Sequence, residues 1–570
     1  MTQPPLAAPD SPIAQIRAFD RVFWLCIFME LMERMAYYGV RLVVPVYMVL
    51  GVGDGGPGLD HVQKGTILAC WAAMQSWLPT FAGGFSDRYG YKRTIAVSVF
   101  LKAGGYFLMS QADGFGSMLI GTQLLAAGTG LFKPGIQGTM AHSIVKSRGA
   151  ESMGWGLFYQ SVNVGAAVSA YIPMYTRDVF GWPSVFLACT AIVLVNLIPL
   201  FFYEDPVDER THGADERSVF ALVKESVGNL FTSPVLLGFI FISAGFWFSF
   251  HQLFDMLPNY VDDWTDTTVL LRDIGATFGF ESYTAAAAAG ETISQERLLN
   301  VNALMIMFTM FVFAWLSGKL RVLTSTMVGM GIATAAFGLF VFTANVYLVL
   351  LGVVVFTVGE MLSSPKRQEY MSSLAPPGKR ALFLGYANMP DGIGWVLGSL
   401  VAGSTYEEHG DKVNLARAHL ATVTDPAAVQ AARTWISTVT DRAAQAAGMT
   451  PDAAKEWLAT QGTSPAALAE IQKKLDAPIA QGLAEVAALP DAALVQRVAE
   501  LVPRGEVIDH LVASVPSLVD ASGAREFLFA SYDPGQVWIP FIAISAVSVV
   551  GMFFYDRWVQ GRAVAARQAA

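Results

Sequence analysis

The stretch that decides the fold is Glu30-Leu31-Met32-Glu33-Arg34-Met35-Ala36-Tyr37-Tyr38-Gly39-Val40-Arg41. It lies inside an apolar run from Val22 to Leu50, long enough to cross a bilayer as one helix. Each ionised side chain at the membrane centre costs roughly 2.5–3.5 kcal/mol on insertion scales. The spacing shows how that cost is met. Glu30, Glu33, Arg34, Tyr37, Tyr38 and Arg41 recur at helical intervals, so they share one face. Glu30 precedes Arg34 by four residues, the favourable order for a pair on one helix. The opposite face is Leu, Met, Val and Ile, which lipid accepts. The polar stripe must therefore face other protein or a water-filled cavity. A single Glu–Arg pair reads equally well as a helix-packing salt bridge. Six polar residues in one stripe point to function.

Outward from this stretch, apolar segments recur at about 22–50, 62–85, 94–111, 115–140, 154–174 and 182–203. A polar stretch at 204–231 follows, then a second series at about 233–257, 300–318, 324–344, 346–364, 380–403 and 536–556. The pattern predicts an all-α polytopic membrane protein with 12 transmembrane helices. A 1–21 tail precedes a bundle at 22–203, a linker at 204–231, and helices 7–11 at 232–403. An insertion occupies 404–532, helix 12 lies at 533–558, and a tail closes the chain at 559–570. Composition agrees: of 570 residues, 54% are hydrophobic and only 15% charged. The first twenty residues are polar, Pro-rich and expected to be disordered, with no cleavable signal evident. A net charge of −9, spread over loops and the insertion, argues against nucleic acid as a partner.

Loop charges predict orientation. Asp87, Arg88, Lys92 and Arg93, then Lys146 and Arg148, then Lys319 and Arg321, then Lys366, Arg367, Lys379 and Arg380, and the tail arginines 557, 562 and 567 all fall on one side of a twelve-span chain. Both termini are thus expected in the cytoplasm, with the protein in a bacterial inner (plasma) membrane. The 404–532 segment is Ala-rich and full of helix starts: Asp425-Pro426, Thr450-Pro451-Asp452, Ser464-Pro465 and Pro490-Asp491. It reads as an α-helical extracytoplasmic insertion between helices 11 and 12, with Trp457, Leu458, Leu468 and Ile471 as packing residues. A rigid spacer is the plain reading; a docking site for an extracytoplasmic partner is the other. Cys26, Cys70 and Cys189 all lie in apolar spans and read as small buried hydrophobes, not as a disulfide set or metal site. No metal cluster and no nucleophile–base pair stands out, so neither an enzyme nor a cofactor is expected.

Gly83-Gly84-Phe85-Ser86-Asp87-Arg88-Tyr89-Gly90-Tyr91-Lys92-Arg93 joins the second and third spans. It resembles the Gly-x-x-x-Asp-Arg-x-Gly-x-Lys/Arg-Arg loop of the major facilitator superfamily. That resemblance implies two six-helix bundles around a central site, with Gly83, Asp87, Arg88, Gly90, Lys92 and Arg93 as a gating loop. The first-helix stripe is similar to the Glu-x-x-Glu-Arg-Phe-x-Tyr-Tyr-Gly signature of the proton-dependent oligopeptide transporter family, with Met35 in place of Phe. Gly128-Thr129-Gly130-Leu131-Phe132-Lys133-Pro134 in the fourth span is similar to Gly-x-Gly-x-x-Lys-Pro-Asn, with Gly135 in place of Asn. Phe158 with Asn163 and Gly165, Phe246-Trp247 with Gln252, and Glu360 with Ser364-Pro365 and Leu374-Ala375-Pro376 resemble further family patterns. The resemblance covers residues 22–403 and the last span, and omits the insertion.

What the resemblance implies is a proton-coupled symporter of di- or tripeptides or related small peptide-like substrates. Protons are its coupling ion and alternating access its mechanism. Glu30, Glu33, Arg34 and Lys133 would couple proton movement to the gate. Tyr37, Tyr38, Arg41, Asn163, Trp247 and Glu360 would face substrate, Arg41 reading a carboxylate and Glu360 an ammonium group. Departures leave alternatives open. His251 stands where the family usually has a carboxylate, and Asp255 lies one turn further on the same face. Tyr386 replaces a pocket Trp, ahead of Asn388-Met389-Pro390-Asp391-Gly392. Lys102, inside the third span, is expected to snorkel to the interface. The alternatives are a same-fold transporter or exporter of a non-peptide or modified-peptide metabolite, and a transceptor whose 404–532 insertion binds a partner.

Overall fold

In a computed structural model, residues 12–146, 151–205, 233–342, 344–375, 383, 386–423, 425–447, 450 and 489–569 are described. The chain forms two compact units. One comprises Met1–Val49, Gly55–Tyr406 and Val537–Ala570; the other comprises Leu50–Asp54 and Glu407–Gln536.

The larger unit is built from long helices: α1 (Arg21–Arg41), α2 (His61–Tyr89), α3 (Tyr91–Ser110), α4 (Phe115–Lys146), α5 (Glu151–Ser169), α6 (Trp182–Leu194), α7 (Pro234–Phe250), α8 (Gln295–Gly318), α9 (Val322–Val341), α10 (Val346–Leu374), α11 (Met389–His409) and α12 (Ile539–Ala569). Their starts follow local chemistry. The Asp20 carboxylate accepts from Phe23 N at 2.9 Å and caps α1. Asp60 and Gln63 form a capping box on α2. Ser233 caps α7 ahead of Pro234, and Asn345 caps α10. The N-terminal segment departs from the disordered tail expected by sequence: Pro12–Arg17 is a short helix, and Asp20 also accepts from the Ser143 hydroxyl, which ties the entry of α1 to α4.

Seven helical segments among the described residues are long and apolar enough to cross a membrane: Phe115–Ile144, Trp182–Phe202, Pro234–Asp255, Gln295–Gly318, Val322–Val341, Val346–Leu374 and Pro534–Arg562. Helices α1, α2, α3, α5 and α11 are also of spanning length. Among them α1 and α3 carry the buried Glu30, Glu33, Arg34, Arg41 and Lys102, which lowers their hydropathy.

In the first half, α3 packs on α4 and α6, α2 on α4, and α1 on α5 and α6. In the second, α9 packs on α10 and α12, α7 on α12, and α8 on α10. Close approach in both halves depends on glycine, as in helix pairs that lack a hydrophobic driving force. A Cβ on Gly105 of α3 would lie 2.7 Å from the Gly121 carbonyl oxygen of α4. A Cβ on Gly329 of α9 would lie 2.6 Å from that of Gly359 on α10.

The halves also meet each other, at the end where α1 stops and α2 starts. Lys64 of α2 donates to Asn259 at 2.8 Å, and Asn259 donates to the Pro45 carbonyl at 3.1 Å. His61 of α2 packs on Tyr406 of α11 at 4.6 Å between ring centres. Asn300 of α8 donates to the Ala167 carbonyl of α5 at 3.0 Å, and Arg177 pairs with Glu296 at 3.0 Å. Among the described residues at the opposite end, Lys92 pairs its backbone N with Asp205 at 2.9 Å and Arg321 pairs with Asp556 at 2.9 Å, each within one half.

The stretch expected to be an outer loop at 258–299 is largely helical, as Leu257–Trp264, Thr268–Phe278 and Glu281–Ala288. Alanine carries the last of these, since it loses no side-chain entropy in a helix.

The smaller unit packs the helices Lys412–Leu420, Pro426–Ala447, Asp491–Leu501, Val507–Ser514 and Ala521–Tyr532. Leu415, Ala432, Trp435, Val498, Leu511 and Leu528 are buried in it. Asp411 caps the first helix through Asn414 N at 2.8 Å and is ion-paired with Arg504. Arg417 donates to the Val502 carbonyl at 2.9 Å. Burial lowers the pKa of His510 and, less deeply buried, of His419. Trp457, Leu458, Leu468 and Ile471, with the helix starts at 451–452 and 464–465, lie outside the described residues.

Candidate functional site

Helix α1 buries the predicted face. Glu30, Glu33, Arg34, Tyr37 and Arg41 are all buried, whereas Trp24 and Phe28 on the other face are exposed. Arg34 Nε pairs with Glu33 Oε2 and lies 3.4 Å from Glu30 Oε1. The third partner was not the expected one. Lys102 of α3 is fully buried and pairs with Glu33 Oε1. It does not snorkel, because it sits in mid-helix on the face turned to α1 and α4, where a carboxylate is nearer than any interface. Its ammonium also lies 4.5 Å from the centre of the Phe132 ring. Lys133, expected to be the stripe's partner, makes no ion pair with a described residue. It acts on Glu30, Glu33 and Asp391 through its field alone.

Two turns along, Arg41 reaches across to the second half. Its Nη2 pairs with Asp255 Oδ1. The other oxygen of Asp255 accepts from Trp395 Nε1 at 2.9 Å and from the Ser399 hydroxyl at 2.7 Å, both on α11. The Arg41 guanidinium lies over the Trp395 and Trp71 rings at 4.9 and 5.7 Å. Arg41 is thus a buried inter-half clasp, with no free donor pair displayed to a cavity. Tyr37 accepts from Gln75 Nε2 at 3.0 Å, and Tyr38 packs edge-on against it at 5.2 Å.

In the second half, His251 ends α7. Its Nε2 lies 3.1 Å from Asp391 Oδ1, and its ring stacks on Trp395 at 4.4 Å. Asp391 is shared with Arg367 Nη1 at 3.4 Å, and the Arg367 guanidinium covers Trp247 at 4.1 Å. Sequence reading placed Arg367 in an inner loop; it lies on α10, largely buried. Glu360 accepts from Asn302 Nδ2 at 2.9 Å, and the same nitrogen donates to Thr357 at 3.0 Å. Asn163 donates to the Tyr159 carbonyl on its own helix at 3.1 Å. Tyr386 is fully buried against Phe383, and Asn388 supplies the carbonyl that accepts from Gly392 N.

The proposed gating loop is mostly helix. Gly83, Asp87 and Arg88 lie on the last turns of α2, their side chains outside the described residues. The connection is Gly90 alone, at φ 94°, a backbone that glycine adopts freely. Its Cβ would lie 2.6 Å from Asp205 Oδ2. Lys92 Nζ donates to the Tyr203 carbonyl at 3.1 Å, and Arg93 is exposed.

These residues define a polytopic α-helical membrane protein of two packed halves, with ionised side chains buried at and between them. The profile of the Major Facilitator Superfamily matches residues 23–399, and the chain belongs to that superfamily. Dipeptide and tripeptide permease A of Erwinia pyrifoliae is 27% identical over 244 residues, 42% of this chain and 47% of that one. The di-/tripeptide transporter of Lactococcus lactis subsp. lactis is 30% identical over 165 residues, 28% of this chain and 31% of that one. The matches thus span less than half the length of these relatives. Among solved structures, a peptide transporter POT in complex with sulfate has a TM-score of 0.55 at 18% identity, covering 68% of this chain and 90% of its own. A POT family transporter in complex with 5-aminolevulinic acid has a TM-score of 0.55 at 17% identity, covering 68% and 91%.

Proposed function

We propose that the protein is a proton-coupled symporter of di- or tripeptides, or of related small peptide-like compounds, working by alternating access. The observation that carries this reading is the Arg41–Asp255 pair. It ties the two halves together from the same helix that buries Glu30, Glu33 and Arg34. A pair that closes one end, on a helix whose carboxylates can exchange protons, links protonation to opening. In this reading the chain has twelve spans, both termini are cytoplasmic, and the clasped end faces outward. The curated relatives' names support peptides as cargo. Glu360, held by Asn302, supplies a carboxylate for an ammonium group.

The test is uptake of radiolabelled dialanine by the full chain in proteoliposomes. Accumulation above equilibrium under an inward proton gradient, abolished by a protonophore, is expected. Equal uptake with and without the gradient would remove proton coupling.

A second reading has its own observation. His251, Arg367 and Asp391 place two bases and one acid beside Trp247 and Trp395. That favours a cargo with an added anionic group, or a modified peptide. Failure of simple dipeptides to compete for the site, with competition by acidic or phosphonate analogues, would select it.

A further inference from the structure

The two carboxylates of the α1 stripe are not equivalent. Both oxygens of Glu33 are taken by cations: Oε2 by Arg34 Nε and Oε1 by Lys102 Nζ. Glu30 has one oxygen at 3.4 Å from Arg34 and the other, Oε2, buried without a hydrogen-bond partner. The site of Lys102 is built to hold it. A Cβ on Gly128 of α4 would lie 2.6 Å from Lys102 Cγ, so the glycine opens the groove through which the lysine stem passes. Phe132, one turn along α4, presents its ring to the ammonium.

We propose that Lys102 holds Glu33 permanently ionised and leaves Glu30 as the carboxylate of α1 that takes up and releases the transported proton. This rests on the proton-coupled reading above. The physical reason is local. A proton on Glu33 would strand the buried Lys102 and leave Arg34 with Glu30 alone, at 3.4 Å. A proton on Glu30 removes the charge of the carboxylate whose Oε2 no donor serves, while Arg34 and Lys102 both keep Glu33. The charged groups facing the pair are Arg34 on α1, Lys102 on α3 and Lys133 on α4, with the Tyr106 hydroxyl of α3 also near Glu33. Helix α5 presents Gly165 to Arg34, and α6 presents Cys189 to Gly39. Lys102 is a positioning residue here, acting through Glu33.

The test is pH-difference infrared spectroscopy of the purified full-length protein, reading the carboxylic-acid carbonyl band. It needs no substrate. Glu30→Gln should remove one titrating carboxyl from the wild-type band, and Glu33→Gln should remove none. Lys102→Met should add a second titrating carboxyl, which Lys102→Met with Glu33→Gln abolishes and Lys102→Arg never shows. The double variant loses both charges of the pair together, so it keeps the comparison open if Glu33→Gln alone fails to fold. Loss of a wild-type component in Glu33→Gln, or a band indifferent to Glu30, overturns the assignment. In dialanine uptake, Lys102→Met should add a second inflection to the pH profile, and Lys102→Arg should restore the single one. Absence of any dialanine transport would sink the peptide reading alone, because the infrared titration still decides between Glu30 and Glu33.

Discussion

Ion pairs at the core of the larger unit and on the surface of the smaller one stand in opposite settings. In the larger unit the side chains of Arg41 and Asp255 are 3% and 1% exposed, and both members of the Lys102–Glu33 pair are fully buried. In the smaller unit Arg433 and Asp491 are 61% and 60% exposed, and Arg442 and Glu506 are 55% and 39% exposed. The same chemistry has different consequences. Ions kept from water must hold partners on every side, so losing one partner is severe. Solvated ions gain little from each other and lose little apart. Buried charge in a membrane helix bundle is a poor way to gain stability, which points to work done by changing partners. The smaller unit instead rests on its apolar core and its caps.

Four substitutions or conditions would break or sharpen this contrast. The largest effect is expected from Asp255→Asn, which leaves Arg41 buried with no anion. It should destabilise the detergent-purified protein by about 3–5 kcal/mol and abolish gradient-driven uptake, read by thermal unfolding and the dialanine assay. A loss below about 1 kcal/mol, the range of exposed pairs, would mean that the clasp is solvated and the contrast is wrong. Next comes Gly128→Leu, which fills the groove of the Lys102 stem. Overpacking of about 1–3 kcal/mol should lower the unfolding temperature, and Lys102→Ala should relieve part of it. An additive double variant would show that the two residues do not meet.

The third effect is pH-dependent and belongs to the smaller unit. Burial lowers the His510 pKa, so between the folded value and the unfolded value of about 6.5 the unfolded chain binds the extra proton. The stability of this unit should therefore be complete above about pH 6.5 and decline as pH falls through it, by roughly 1 kcal/mol per unit of separation. Hydrogen exchange of the Val507–Ser514 helix in the full chain, compared at pH 7 and pH 5, measures this. His510→Gln should weaken the dependence, leaving the share that the half-buried His419 contributes, and an unchanged profile would acquit His510. The smallest effect is expected from Arg433→Gln, about 0–0.5 kcal/mol in the same exchange measurement. A larger loss would mean that the exposed pairs work as a network.

The polar stripe of α1 was legible because helical periodicity puts Glu30, Glu33, Arg34, Tyr37 and Arg41 on one face, and that face is buried. His251 and Asp255 were legible as a pair of candidates, yet which one meets Arg41 was not. The break of α7 at His251 turns Asp255 toward α1 and His251 toward Asp391. Arg367 was lost to loop reading because a basic residue near the end of a span looks like a membrane-flanking charge. Asn302 gave no signal, since a lone amide on an apolar helix has no spacing to betray its partner.

From sequence alone, the protein's class was determined: helix period, span length and the alternation of apolar runs with basic loops depend on local residues and on the bilayer's thickness. Which base serves which acid was decided only in the folded molecule. Lys102 and Lys133 look alike along the chain, each a single cation inside an apolar helix. Gly128 and the packing of α3 on α4 bring the first onto Glu33 and leave the second without an ion pair among the described residues, and Coulomb energy depends on distances that sequence separation does not contain.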